Sequence, residues 1–222
     1  MRTRVQGFNT RRVTAARHRR CLAPSWAVAT LMLTAGLGGN PCAPAQAMVV
    51  VQRDFVDLVA RAEQIVVGTV TDITQQPDES GVPFTFVTFS DLEVLKGDVG
   101  STLTLRFYGG PANGSMMSIP DMPTFTTGER AVLFVAGNGR DVCPLVGVWQ
   151  GRFRVHFDGA RQTDVVESHD GQSVTGLAGR ELRYAPSSVT ATSPAVTLDE
   201  FRQMIRDELA HPHAGAEPAA PQ

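Results

Sequence analysis

Residues 84–97 read FTFVTFSDLEVLKG. The run is too rich in β-branched and aromatic side chains for a helix and too long for an average strand. Its apolar positions are even at first (Phe84, Phe86), then odd (Val87, Phe89), then even again (Leu92, Val94). A flat strand with one buried face keeps a single parity, because side chains alternate with period two. A change near Ser90-Asp91 is what a β-bulge, or the sharp coil of a small closed barrel, produces. The Lys96-Gly97-Asp98 corner ends the run. These residues therefore predict the long bent strand of a small β-barrel.

The flanking sequence extends that pattern. Before it, Asp54–Glu63 sets Phe55, Leu58, Val59 and Ala62 on one helical face, and Gln64–Thr74 reads as a strand interrupted by Gly68. Gln75–Val82 reads as an exposed turn. After it, Thr102–Phe107 alternates, with Leu103, Leu105 and Phe107 facing in. A Gly- and Pro-rich loop spans Tyr108–Gly128, and loops of this length tend to carry function. Arg130–Ala136 is continuously apolar, as for a strand covered on both sides. Asn138-Gly139 is a turn motif. Leu145–Gln150 and Gly151–Phe157 read as strand, glycine kink, strand, with Phe153, Val155 and Phe157 inward and Arg152, Arg154 and His156 outward. Asp158-Gly159 and Asp170-Gly171 are hairpin turns around Thr163–Ser168. Thr197-Leu198-Asp199-Glu200 is a capping box that opens a helix with Leu198, Phe201, Met204, Ile205 and Leu209 on one stripe.

The N-terminus predicts export. Seven arginines precede Trp26, no acid occurs before Asp54, and Trp26–Gly39 is an apolar run of 14 residues. That length suits a signal peptide, whereas a membrane span needs about 20 apolar residues. Ala45-Gln46-Ala47 fits a cleavage site, which puts the mature start at Met48 and leaves no transmembrane segment after cleavage. The route is the general secretory one, to the periplasm or outside the cell. Removing residues 1–47 leaves 13 basic against 22 acidic side chains, a net charge of −9. A nucleic-acid binder needs a basic face to displace counterions, so nucleic acid is not an expected partner. Of three cysteines only Cys143 survives this cleavage, so its pairing depends on whether Cys42 is retained.

Little in the chain announces chemistry. His156, His169, His211 and His213 form no metal-ligand spacing, and no metal or cofactor is expected. Cys143 has no base placed beside it by sequence, and Ser115 lacks the strand-to-helix setting of a nucleophile elbow. No catalytic residue is assigned. The low-specificity binding surface is the long loop, with Tyr108, Gly109, Gly110, Asn113, Met116, Met117 and Met122; its methionines are either soft Cu(I) ligands or, more simply, a cap over the barrel end. The Arg152/Arg154/His156 stripe is a candidate anion grip, or a solvated strand face.

Three motifs in order carry a resemblance: Arg61–Val70 (RAEQIVVGTV), Leu92–Gly97 (LEVLKG) and Gly128–Phe134 (GERAVLF). Together they are similar to a set of exported bacterial proteins of unknown function, and to the netrin-like module of the tissue inhibitors of metalloproteinases. The resemblance covers roughly residues 60–136 and implies an OB-type five-stranded barrel. Those inhibitors act through a disulfide-bonded N-terminal cysteine; no position here matches it, so no functional residue is carried over.

The expectation is a mainly β protein: a signal peptide over 1–47, an OB-like β-barrel over 48–185 with a short N-terminal helix, a linker over 186–196, a C-terminal amphipathic helix over 197–211, and a disordered tail over 212–222. Its function is non-catalytic binding of a protein or saccharide partner. The alternatives are a hydrolase using loop carboxylates, which a cavity joining a histidine to a carboxylate would favour, and a structural protein of the cell envelope.

Overall fold

The computed structural model describes residues 51–112, 115–186 and 194–212. The leader, Asn113, most of the linker and nearly all of the tail lie outside them. Helix α1 (Phe55–Arg61) starts at Asp54, whose carboxylate accepts the Asp57 N–H at 2.7 Å. Strands β1 (Gln64–Pro77), β2 (Pro83–Lys96) and β3 (Leu103–Tyr108) form an antiparallel meander. A small hairpin, β4 (Gly110–Ala112) and β5 (Ser115–Met117), follows within the stretch expected to be loop. Then come β6 (Arg130–Val135), β7 (Arg152–Asp158), β8 (Thr163–Glu167), β9 (Gln172–Ala178), β10 (Glu181–Pro186) and helix α2 (Leu198–Ala210).

The protein is mainly β, and its main sheet runs β10-β9-β8-β7-β6-β1-β2-β3. This ladder does not close: β3 and β10 are its edges, where the sequence predicts a barrel. Closure would require β3 to pair with another strand. Instead Asn138 occupies that edge, its Oδ1 accepting the Arg106 N–H at 3.1 Å and its Nδ2 donating to Thr104 O at 2.9 Å. The Tyr108 N–H donates to Val142 O at 3.0 Å, so the edge is capped by residues 138–142 and hidden from foreign strands.

The bend expected in β2 is present. Between the pairs Thr69–Ser90 and Val67–Glu93 the β2 side carries one extra residue, and Asp91 has φ +51° there. The earlier parity change, from Phe86 to Val87, is not a bulge, since pairing with β3 is uninterrupted from Phe84 to Phe89. It reflects two covered faces: Val87 and Phe89 point into one core, while Phe84 packs edge-on to Tyr108 at 5.5 Å beneath the Arg106 guanidinium.

Both faces of the central strands are buried, which is why β6 reads as unbroken apolar sequence. Val132 and Phe134 join Ile65, Val67, Phe153, Phe55, Phe201 and Ile205 in a core under the two helices. Ala131, Leu133 and Val135 join Val66, Val70, Leu105 and Phe107 in a second core. That second core unites β3 with β6, two strands removed from it by β1 and β2, so the sheet coils around it. At Gly68 strands β1 and β2 approach closely: a Cβ there would sit 2.7 Å from Leu92 Cδ2 and 3.3 Å from Phe89 Cβ.

The Lys96-Gly97 corner ties the meander to α1. Lys96 Nζ donates to the C-terminal carbonyls of Val59 (2.8 Å) and Ala60 (3.2 Å) of that helix. Gly97 has φ +82°, and an added Cβ would lie 2.6 Å from Glu63 O. Gly97→Ala is accordingly expected to lose about 1–3 kcal/mol by combined left-handed strain and overpacking, read as a lower urea midpoint at unchanged m-value. A midpoint equal to the parent's would show that the corner relaxes freely.

Two strand expectations change. Leu145–Gln150 is a single bridge from Leu145 to Val135 followed by a 3₁₀ turn over Val148–Gly151, because Gly147 and Val148 both take positive φ. In β7, Phe153 is buried as expected, but Phe157 is exposed and Arg152 is buried. The strand leaves the core as it extends beyond β6, whose pairing with it ends at Val155.

Candidate functional site

The long-loop residues do converge. A groove of about 270 Å³ is lined by Tyr108, Gly109, Gly110, Met116, Met117 and Met122, with Ile73, Val87, Phe107 and Phe125 as its apolar base. Gly109 and Gly110 turn the chain out of β3 with φ of +113° and +140°, which side-chain-bearing residues avoid. The corner is pinned to β2: the Gly109 N–H donates to Pro83 O at 2.9 Å, and Thr85 Oγ1 donates to Gly109 O at 3.0 Å. Met122 and Phe125 pack onto the second core, Phe125 lying 5.5 Å from Phe89 and 5.3 Å from Phe107. Met116 and Met117 do the opposite and are exposed, at 64% and 40%. The methionines thus divide between a cap and an open rim.

The Arg152/Arg154/His156 stripe does not form one anion site. Arg152 is 3% exposed, its guanidinium bonded to the Glu129 carboxylate and seated 4.4 Å over the Phe125 ring. His156 stands exposed with Nδ1 3.5 Å from Glu167 Oε2. The expectation that Arg152 faces solvent fails because the loop carrying Phe125 and Glu129 folds over that end of β7.

Cys143 is a free thiol among the described residues and is half-buried against the second core. Burial pushes its pKa up, from 9.0 to about 12, a backbone N–H to its sulfur only partly opposing it. Since the thiolate is the nucleophile, raising the pKa lowers its reactive fraction at any pH below 12. Iodoacetamide alkylation at pH 8 is expected to be about a thousandfold slower in the native protein than in urea, and to rise about tenfold per pH unit. Equal rates in the two conditions would show that the thiol is open to water.

A second cavity, of about 260 Å³, brings together Trp149, Ser168, His169, Asp170, Gln172 and Tyr184 with Gln52 and Arg53. Trp149 stacks on His169 with centroids 3.9 Å apart and planes at 27°. Burial, with Arg152 and Arg154 adding to it, pushes the His169 pKa down, against the opposing pull of Asp170 and Asp121. Sequence reasoning weighed His169 only as a metal ligand and missed its meeting with Trp149, because the two are far apart in the chain. Only the 3₁₀ turn before β7 and the β8–β9 turn bring their rings together.

The chain matches no family model, no curated protein and no solved structure. Among the described residues no group of three or more His, Cys, Asp or Glu side chains is arranged to hold a metal ion, and no helix is long and apolar enough to cross a membrane.

Proposed function

We propose that this protein is an exported, non-catalytic binding protein that engages a protein partner through the groove beneath the Tyr108–Phe125 segment. The observation that carries the reading is the pair of exposed methionines, Met116 and Met117, on the rim of an apolar groove whose corner is fixed by Gly109 and Gly110. Thioether side chains are flexible and polarisable, and they suit a surface that adapts to an apolar segment of a partner. The basic leader, the apolar run and the Ala45-Gln46-Ala47 site support export. The coiled β1–β2–β3 meander paired to β6 supports a distant kinship with the OB-type netrin-like module, as a proposal about fold ancestry and not activity.

Site-specific photocrosslinking in cells that make the protein tests this. A benzophenone side chain at Met116 or Met117 is expected to trap one discrete partner, and the same probe at the exposed Gln203 of α2 is expected to trap none. Crosslinks at neither methionine, or equally at all three positions, would sink the groove as a binding face. N-terminal sequencing of the cell-envelope and secreted fractions checks export, with Met48 as the expected first residue.

The hydrolase reading has one observation in its favour: His169 and Asp170 line the same cavity. Their engagements argue for binding instead. His169 is stacked on Trp149, and the Ser168 hydroxyl donates to Asp170 Oδ1 at 2.5 Å, which gives it a carboxylate acceptor and no imidazole relay.

A further inference from the structure

The second cavity is a built site that the groove reading leaves unused. Its lining includes aromatic rings, glutamine amides, the Asp170 carboxylate and the guanidiniums of Arg53 and Arg152. Trp149 and His169 make a stacked platform, and Tyr184 stands 43% exposed at the cavity's margin. Asp170 is held in place by Ser168 Oγ on Oδ1 and Gln172 Nε2 on Oδ2, each at 2.5 Å. A carboxylate has about four lone-pair sites, so two oxygens already oriented by one donor apiece retain capacity for further hydroxyl donors. Burial pushes the Asp170 carboxyl up, but the Ser168 and Gln172 hydrogen bonds outweigh it and leave the group below its ordinary range, ionised at neutral pH. Burial also pushes the Tyr184 phenol up to about 12, which keeps it a hydroxyl donor.

The guanidiniums in this cavity are already paired. Arg152 is bonded to Glu129, and Arg53 lies 3.8 Å from Asp57. An anion therefore finds no unpaired guanidinium, and an apolar ligand would strip water from Asp170 and the glutamines without replacing their hydrogen bonds. A pyranose ring meets both requirements: its C–H face buries apolar area on an aromatic ring, and its equatorial hydroxyls reach acceptors and donors around the rim. Next to this cavity lies another of about 410 Å³ that shares Gln52, Arg53, Leu58 and Tyr184 with it. The two adjoin at these residues, beside the start of α1.

We propose that the cleft formed by Trp149, His169, Asp170, Gln172 and Tyr184 binds a neutral glycan, one pyranose ring packing against the Trp149–His169 platform and the next lying beside Tyr184. This site is separate from the methionine groove and does not rest on the reading of that groove.

Saturation-transfer-difference NMR of the full-length protein tests it, with maltose, cellobiose, lactose and N,N′-diacetylchitobiose as probes and their monosaccharides alongside. At least one disaccharide is expected to bind with Kd on the order of a millimolar or tighter, and several-fold more tightly than its monosaccharide. Trp149→Ala and Gln172→Ala are each expected to weaken that binding about tenfold or more, and Trp149→Phe to retain most of it. Tyr184→Ala, at an exposed position, guards against a folding artefact and is expected to remove the disaccharide advantage. Saturation transfer to none of the seven sugars would overturn the proposal, as would binding unaffected by Trp149→Ala. Cleavage of a disaccharide during the measurement would keep the glycan in this cleft and overturn the non-catalytic reading instead. Crosslinking at Met116 is expected to be unchanged in Trp149→Ala, so the two sites fail or survive separately.

Discussion

Phe201→Ala is expected to destabilise the protein by about 3–5 kcal/mol, the range for truncating a fully buried aromatic. Phe201 is 0% exposed and sits between Phe55 at 5.8 Å and Phe153 at 4.9 Å, so its ring joins α2, α1 and the sheet. Removing it opens a cavity that none of the three elements can collapse into without losing other contacts. For a domain of this size the loss corresponds to a fall in Tm of about 10 °C, measured by calorimetry or by far-UV circular dichroism. A fall of no more than about 2 °C would mean that α2 does not depend on this core. The same helix is held at its start by a device invisible in the sequence. The Val166 N–H donates to Val196 O at 3.0 Å and the Val196 N–H donates to Val174 O at 2.6 Å, so Val196 wedges between β8 and β9. Those two strands pair directly only at Glu167–Ser173.

Glu129→Ala is expected to cost about 3 kcal/mol, because it strands the Arg152 charge inside the protein. Arg152 is 3% exposed, and its Nε has no hydrogen-bond partner among the described residues, so Glu129 is its principal compensation. Burial already pulls the Arg152 pKa down, with Glu129 acting against that pull. The double variant Glu129→Leu/Arg152→Met is expected to return to within about 1 kcal/mol of the parent, since it removes both charges and their desolvation together. A denaturant-based double-mutant cycle with Glu129→Leu and Arg152→Met as its single variants reads this directly, with a coupling of about 2 kcal/mol or more expected. Near-additive losses would show that water, and not Glu129, solvates the guanidinium. The cation–π seat on Phe125 adds a second readout: the double variant should loosen the loop that walls the methionine groove and weaken any crosslink there.

Much of the fold was legible in the sequence. The α1 stripe, the β2 bulge near Asp91, the two-sided burial of β6 and the Thr197–Glu200 capping box each leave a local signature. Periodicity, positive-φ tolerance and capping are properties of neighbouring residues, so the chain carries them openly. That Tyr108, Gly109, Gly110 and the methionines lie near one another was legible as well, because a Gly-Gly corner and clustered methionines lie within one segment. Arg152 was misread because alternation says which side of a strand a residue takes, not whether another segment covers that side. Barrel closure was overstated for a similar reason: a bulge and a glycine indicate a coiled sheet, but the capping of the β3 edge by Asn138 depends on a loop that starts 30 residues beyond the end of β3 (Tyr108 to Asn138).

What the sequence determined by itself is the mainly β character, the positions of the two helices among the described residues and the bend in β2. Each of these follows from side chains within a few residues of one another. What only the tertiary structure decided is the open ladder, the burial of Arg152 on Glu129, the insertion of Val196 between strands and the meeting of Trp149 with His169. Those contacts join residues about twenty or more positions apart, and no local periodicity encodes them.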